Sequence, residues 1–389
     1  MTTATQTAAS KQASATAPGA PVKARWRWHT PFEAALLLVA AAAVLECFFN
    51  FCGVGMEEFL QPDLNLGCKH IPGKKVVWRM EGYSSDRLSQ AGFRDVEHSL
   101  SKQAGVTRVA LLGDSACEGL QVPMKDTYAR RLQAILDKEG SKRYEVLNFG
   151  CSSYSTGQEL RQFERDVTVY SPDITVLLYS SGDALENIRK PWDLKAEPRP
   201  YFYLNDKGEL MLDKAILPSE RLSHNTTLDF LRRYSRIWGI FSHANLTFSL
   251  NEPLYRKLRG WVLAPFTNRR QSPTANGVTL PYAPQDGWKV TRQIIKRLNG
   301  DCQSHNCRLL VLGFPNMVQD REFDRQLKDL QKLKSTWGFS LKDLTPVFRW
   351  HPDPMSLFFK YHFSSSGHAL MAREIAASIL SLEKTPASK

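Results

Sequence analysis

The chain has 389 residues, of which 42% are hydrophobic and 23% are charged, and its formal net charge is +12. This length suits one large domain with additions, and the composition suits a globular protein with a sizeable core. The positive charge is spread along the chain without a zinc-finger spacing, an RNP-type aromatic motif or a long basic block, so the sequence argues against a nucleic-acid partner.

The first 54 residues predict a disordered tail followed by a membrane anchor. Residues 1–30 are rich in Ala, Thr, Ser and Gln and cannot bury enough apolar surface to become ordered. Residues 31–54 are mostly apolar and about long enough to cross a bilayer, although Glu46 and Asn50 interrupt them. Because Lys and Arg precede this segment, we expect a single-pass protein of the inner (plasma) membrane with a cytoplasmic N-terminus and a periplasmic or extracellular catalytic domain. A buried globular helix and a cleaved signal peptide are the alternatives.

The remaining chain predicts one α/β domain. Residues 55–105 are mixed in character, and we interpret them as a loop-like linker and domain entry. From residue 106, short apolar runs that end near Gly alternate with segments of helical spacing, which is typical of a parallel sheet with helices on both faces. We therefore expect a three-layer α/β/α sandwich over residues 106–384. Residues 190–285, which are rich in Pro and aromatic residues, are interpreted as an insertion or cap within it.

Seven cysteines are few for a disulfide framework. Cys302 and Cys307 are close enough in sequence to close a small loop, and Cys117 and Cys151 could pair because they flank two loops of the expected site. The chain has no CxxC and no Cys/His set with metal-ligand spacing, so the sequence predicts neither a metal nor a cofactor.

Polar residues follow three of the predicted strands, and ligands bind at this edge of a parallel sheet. The segments are residues 113–115, 148–150 and 181–183, and residues 362–368 precede the last predicted helix. Ser115 follows a strand and opens a helix, where backbone N–H groups can stabilise an oxyanion. Serine needs a base to become a good nucleophile, and His362 is a candidate for that base.

Four sequence blocks resemble the SGNH/GDSL hydrolase family. They are LLGDSACEGLQV at 111–122, VLNFGCSSYSTGQEL at 146–160, YSSGDALENI at 179–188 and YHFSSSGHALMAREIA at 361–376. AGFRD at 91–95 and PRPYFYLNDKGEL at 198–210 also resemble membrane-anchored members. The resemblance spans residues 90–382 and implies an SGNH/flavodoxin-like fold. It further implies Ser115 as nucleophile and oxyanion-hole residue, Gly150 as an oxyanion-hole donor, His362 as base, and a structural role for His368.

The chain departs from the family pattern at two places. Asp183 stands where the family has an Asn that donates to the oxyanion, and an ionised carboxylate cannot donate. Asn187 lies nearby in sequence and is a candidate replacement. The family also has an Asp shortly before the catalytic His, a place that Phe359 and Lys360 occupy here, so Asp353 or a backbone carbonyl is the candidate group to orient His362.

The sequence therefore predicts a membrane-anchored serine esterase that acts on a carboxylic ester, such as an O-acetylated glycan or a lipid, through an acyl-enzyme on Ser115. An O-acyltransferase for an envelope polysaccharide, using the same site, is the first alternative. A catalytically degenerate domain that binds a glycan or a protein partner is the second. The sequence carries no signal for an oligomeric state.

Overall fold

The computed structural model describes residues 31–52, 59–180, 182–189, 198–213, 230–231, 235–240, 286–314 and 320–384. Helix α1 (Pro31–Cys52) has 22 residues and none of them is buried. Of the described helices, α1 is the one that is long and apolar enough to cross a membrane, with a mean hydropathy of 2.2. Its polar interruption is satisfied, because the Glu46 carboxylate accepts hydrogen bonds from Ser235 Oγ (2.9 Å) and Ile237 N (3.1 Å). A signal sequence passes the same test of length and composition.

Two small antiparallel hairpins follow where the sequence suggested a loop-like linker. They pair β1 (Leu60–Asp63) with β2 (Gly67–His70) and β3 (Lys75–Trp78) with β4 (Ser84–Arg87). Four-residue strands are too short for a clear alternation of polar and apolar residues, which explains why the pattern did not reveal them. We call residues 59–95 the hairpin segment. The buried Arg94 guanidinium fastens this segment by donating to the Glu118, Gly119 and Val122 carbonyls and to the Asp86 carboxylate.

Five parallel strands form the central sheet, in the order β11-β10-β7-β5-β6. Their bounds are β5 (Val106–Leu112), β6 (Arg143–Asn148), β7 (Ile174–Ser180), β10 (Arg308–Phe314) and β11 (Ser340–Asp343). The chain leaves β5 toward β6 and then returns to the other side of β5 as β7, so the strand order reverses beside β5. In open α/β sheets this reversal opens a crevice beyond the strand ends. An antiparallel pair, β8 (Tyr201–Leu204) and β9 (Leu210–Asp213), belongs to the predicted insertion, most of which lies outside the described residues.

Helices cover both faces of the sheet and confirm the predicted three-layer α/β/α architecture. Val109 and Leu111 join one hydrophobic cluster, whereas Ala110 and Leu112 join the other, because successive side chains of a strand point to opposite faces. The helices are α2 (Ser115–Glu118), α3 (Tyr128–Glu139), α4 (Thr156–Gln162), α5 (Asp183–Glu186), α6 (Gly287–Ser304), α7 (Arg321–Trp337), α8 (Thr345–Arg349) and α9 (Ser365–Lys384), with a π turn at Phe163–Val167 and 3-10 turns at Met124–Asp126, Thr168–Tyr170 and Pro354–Leu357.

Candidate active site

Ser115 lies just beyond the carboxyl end of β5 and is the first residue of α2. Asp114 caps this short helix, and its Oδ1 accepts a hydrogen bond from Ala116 N at 2.9 Å. Burial raises the pKa of the Asp114 carboxyl. Among the hydrogen bonds of the described residues, none uses the Ser115 backbone N–H. The strand-to-helix turn therefore presents a hydroxyl and an available N–H at the same residue.

His362 joins Ser115 to a carboxylate from the distant hairpin segment. Its Nε2 lies 3.0 Å from Ser115 Oγ, and its Nδ1 lies 2.8 Å from Glu81 Oε2. Because an ionised carboxylate only accepts, Nδ1 carries the ring proton and Nε2 is left to accept the Ser115 hydroxyl hydrogen. Both partners of the His362–Glu81 pair are largely shielded, with 25% and 14% of their side chains exposed. The Ser115 hydroxyl, the His362 imidazole and the Glu81 carboxylate thus stand in a continuous hydrogen-bonded relay, which is the arrangement that can activate a serine.

Glu81 reaches His362 because the turn between β3 and β4 packs tightly against the rest of the site. Gly82 has a φ of +66°, and a Cβ built there would lie 2.1 Å from the Gln121 carbonyl oxygen and 2.8 Å from Phe359 Cζ. The next residue, Tyr83, donates its N–H to the same Gln121 carbonyl at 3.1 Å. The turn therefore needs glycine for both its backbone conformation and its close approach.

The structure overturns the prediction that Asp353 orients His362. The Asp353 carboxylate accepts a hydrogen bond from Ser356 N at 3.3 Å and so caps the 3-10 turn Pro354–Leu357. The orienting position on Nδ1 belongs to Glu81. Glu81 was missed because it lies 281 residues before His362 and outside the sequence blocks that carry the family resemblance. The one local signal was an acidic residue beside a glycine in a turn between two β-rich stretches.

Gly150 is placed to pack against α2 and not to donate to an oxyanion. Its N–H donates to the side-chain oxygen of Asn148 at 3.0 Å. A Cβ on Gly150 would lie 2.4 Å from Glu118 N and 2.6 Å from the Cys117 carbonyl carbon. The absence of a side chain lets the loop after β6 touch α2, so the expected oxyanion-hole role does not fit this geometry.

Asp183 and Asn187 also have other partners than a substrate. The Asp183 carboxylate accepts from Ser180 N (3.1 Å), Ser180 Oγ (3.0 Å) and Thr156 Oγ1 (3.0 Å). The buried Asn187 side chain accepts from Gly157 N at 2.7 Å and donates to Thr291 Oγ1 at 2.8 Å. Asp183 therefore ties the end of β7 to α4, and Asn187 ties α4 to α6, which corrects their assignment to the oxyanion hole.

Buried acids beneath the site carry less negative charge than their number suggests. Burial, together with the neighbouring Asp114 carboxylate, raises the pKa of Asp183 to about 8. Burial also raises the pKa of Glu159 well above its usual range, with Asp183 adding to the effect. With a pKa of about 8, Asp183 is largely protonated at neutral pH, which limits its repulsion of a negative charge that develops near Ser115.

A second His–carboxylate pair supports the loops around Ser115. His70 Nε2 lies 2.8 Å from Glu118 Oε1, and both side chains are buried. The other oxygen of Glu118 accepts from the backbone N–H of Ser152 at 2.8 Å. Cys151 N donates to the carbonyl of Gly113 at 3.1 Å, directly ahead of Asp114 and Ser115. These hydrogen bonds connect the hairpin segment, α2 and the loop after β6, and none of them uses a side chain of the relay.

His368 has the structural role expected of it. It is fully buried, and its Nδ1 accepts a hydrogen bond from Tyr128 N at 3.2 Å, at the start of α3. Burial lowers the pKa of His368 to about 3, so the ring is neutral. Among the described residues, no group of three His, Cys, Asp or Glu side chains is arranged to hold a metal ion.

Exposed apolar side chains border the relay on two loops. Met80 and Tyr83 flank Glu81, while Phe359 and Tyr361 precede His362. Tyr361 N approaches the Glu81 carboxylate at 3.4 Å, which brings the two loops together. We call these four side chains the apolar rim.

Comparisons with known proteins find distant structural similarity. No protein-family model matches the sequence, and no curated protein matches it significantly. The chain is similar to the crystal structure of the acetyl xylan esterase AlAXEase, with 14% identity and a TM-score of 0.40 over 70% of this chain and 99% of that one. It is also similar to a lipase/acylhydrolase from Enterococcus faecalis, with 11% identity and a TM-score of 0.39 over 71% of this chain and 96% of that one. A GDSL-like lipase from Bacteroides thetaiotaomicron is similar at 11% identity and a TM-score of 0.37, over 71% of this chain and 89% of that one.

Proposed function

We propose that this protein is a membrane-anchored serine esterase, which cleaves a carboxylic ester through an acyl-enzyme on Ser115. The observation that supports this proposal is the relay itself, in which His362 spans Ser115 Oγ at 3.0 Å and Glu81 Oε2 at 2.8 Å. A buried or capping serine needs no such base, whereas a nucleophilic serine does.

The chemistry follows from these contacts. His362 Nε2 takes the hydroxyl proton while Ser115 Oγ bonds to the ester carbonyl carbon, and the Ser115 backbone N–H donates to the resulting oxyanion. The C–O bond to the alcohol then breaks, and His362 returns the proton to the leaving oxygen. Water, activated by the same ring, attacks the acyl-enzyme and releases the acid. Glu81 fixes the ring and stabilises the imidazolium that forms in each half-reaction.

Two features of the geometry favour an active site over a degenerate binding domain. A carboxylate does orient His362, although it comes from the hairpin segment and not from the residues just before the histidine. Asp183 is hydrogen-bonded to Ser180 and Thr156, so its carboxyl group is engaged there and not with the oxyanion, which it would repel. The missing acid just before His362 and the acid at position 183 are therefore both compatible with catalysis.

The substrate we propose is an O-acylated molecule of the cell envelope, either an O-acetylated glycan or a lipid ester. The apolar rim supports this class because exposed aromatic and thioether side chains can cover an acyl chain or a sugar face. An acyltransferase would share the first half-reaction and differ in using a sugar hydroxyl in place of water. Helix α1 supports a membrane location, with the domain on the periplasmic or extracellular side.

The test uses the full chain in detergent and a fluorophosphonate probe, which reports the nucleophile without knowledge of the natural substrate. We expect the probe to phosphonylate Ser115 in the wild type, and we expect p-nitrophenyl acetate hydrolysis to fall by about a thousandfold or more in Ser115→Ala. Ser101→Ala, at an exposed serine outside the site, serves as the matched control and should retain both properties. Folded protein that neither reacts with the probe nor exceeds Ser115→Ala in hydrolysis would reject the proposal.

Product analysis separates the hydrolase from the transferase. An acyl donor is incubated with the wild type, with and without a soluble sugar acceptor, and the released acid and acylated sugar are quantified. Free acid at a rate independent of the acceptor supports the esterase, whereas acylated sugar formed in preference to acid supports the acyltransferase.

A further inference from the structure

Two cysteines meet where the hairpin segment touches the loop after β6. Cys68 lies in β2 and is half-buried, whereas Cys151 is fully buried. Both pack in one small hydrophobic cluster with Leu66 and Tyr154. Cys68 packs directly against this cluster, and its proximity adds to burial in raising the pKa of the Cys151 thiol.

Tyr154 holds the backbones of both cysteines. Its N–H donates to the Cys151 carbonyl at 3.1 Å, and its hydroxyl donates to the Cys68 carbonyl at 2.7 Å. One ordered aromatic side chain thus fixes the distance between the two peptide segments. A disulfide requires such a fixed approach, because its geometry tolerates only small deviations.

The pairing considered from sequence, Cys117 with Cys151, is not the one that the structure brings together. The Cys117 thiol donates to Asn148 Oδ1 at 3.2 Å and packs in the core cluster on one face of the sheet. Cys151 packs in a different cluster, with Leu66 and Cys68 of the hairpin segment.

We propose that Cys68 and Cys151 form a disulfide bond when the domain reaches an oxidising compartment. The oxidant is a protein or small-molecule disulfide, as such compartments supply. The half-buried Cys68, as thiolate, attacks one sulfur of that disulfide and expels one thiol. Cys151 then attacks the Cys68 sulfur and expels the second thiol. The two cysteine protons and two electrons leave with the two reduced thiols, and one S–S bond remains in the protein.

This bond would join two segments that support the candidate site. Cys151 N is bonded to Gly113 O, two residues before Ser115, and β2 carries His70, which contacts Glu118 of α2. The bond would also close a long loop that contains Glu81 and Ser115, which restricts the unfolded chain. We expect the oxidised protein to melt roughly 5 to 10 °C above the reduced protein.

Peptide mapping of the full chain in detergent tests the bond directly. The protein is incubated with oxidised glutathione, unfolded at acidic pH with an alkylating agent, and digested with a protease that cleaves after glutamate. That digestion places Cys68 in residues 59–81, Cys151 in residues 146–159 and Cys117 in residues 98–118, with one cysteine in each peptide. We expect 59–81 linked to 146–159, absent after reduction and in Cys68→Ser, and retained in Cys117→Ser.

The wild-type map decides the matter even if a variant fails to fold. Recovery of 59–81 and 146–159 as separate alkylated peptides after oxidation would overturn the inference. So would a link between 146–159 and 98–118. The readout is covalent and independent of ester hydrolysis, so its failure is distinct from failure of the proposed function.

Discussion

The five-stranded sheet and the hairpin segment are held in place by different kinds of contact. The sheet is fixed by two apolar clusters in which Val109 and Leu111 serve one face and Ala110 and Leu112 the other. The hairpin segment has only two small apolar clusters and is fixed in addition by a few buried polar side chains that bond to residues far away in the chain, Arg94 and His70 among them. The first region contributes Ser115 to the relay and the second contributes Glu81. The position of Ser115 therefore depends on many weak apolar contacts, whereas the position of Glu81 depends strongly on a few buried polar ones.

The largest effect that tests this comparison is the loss of the Glu81 carboxylate. We expect Glu81→Gln to lower kcat for ester hydrolysis by about 10² to 10⁴-fold, because the neutral amide no longer stabilises the imidazolium of His362. Circular dichroism should show an unchanged fold. Asp353→Asn is the matched control and should stay within about twofold of the wild type. The reverse result, a large loss in Asp353→Asn and none in Glu81→Gln, would show that the hairpin segment takes no part in catalysis.

The next effect is on stability and concerns Arg94. We expect Arg94→Met to lower the free energy of unfolding by about 3 to 5 kcal/mol, since it removes the charged donor that three buried carbonyls and the Asp86 carboxylate share. Urea unfolding measures the change. Arg325→Met, which removes an exposed ion pair with Glu322 on α7, should leave the unfolding midpoint where it is. Equal midpoints for the two variants would contradict the view that few polar contacts fix the hairpin segment.

The smallest effect concerns Asp183 in the α/β body and appears in the pH dependence of stability. The pKa of Asp183 is raised to about 8 in the folded protein, above the unfolded value of about 3.9. Folding therefore favours the protonated acid, and the stability is complete below about pH 4 and declines as the pH rises through 8. We expect the unfolding free energy to fall by about 1 to 3 kcal/mol between pH 5 and pH 8, and Asp183→Asn to flatten this slope.

The same variant sharpens the assignment of the oxyanion hole. Asp183→Asn restores the amide of the family pattern, yet we expect kcat to change by less than about threefold because the side chain is bonded to Ser180 and Thr156. Asp206→Asn, at an exposed turn, should leave both the slope and kcat unchanged. A hundredfold rise in kcat for Asp183→Asn would instead return residue 183 to the oxyanion hole.

The parts that could be predicted from sequence are those with a local periodic signal. The central strands β5, β7 and β10 contain continuous apolar runs, and the turn that carries Ser115 follows the first of them. His362 could be paired with Ser115 because both lie in recognisable blocks. Glu81 had neither signal: its strands are four residues long, and its partner is distant in sequence. Gly150 was assigned from its place in a motif and Asn187 from its nearness in sequence to Asp183. Neither kind of position says which partner a polar group meets in three dimensions.

The separation of Glu81 from His362 by 281 residues has a consequence for biosynthesis. Glu81 and Ser115 leave the ribosome early, whereas His362 follows only after every strand of the sheet has been made. The ribosome makes the chain from its N-terminal end at a finite rate. The nascent chain therefore carries Ser115 and Glu81 for some time before His362 is added. A partly made chain that lacks His362 therefore has no complete relay, and the relay forms only once His362 packs against Ser115 and Glu81.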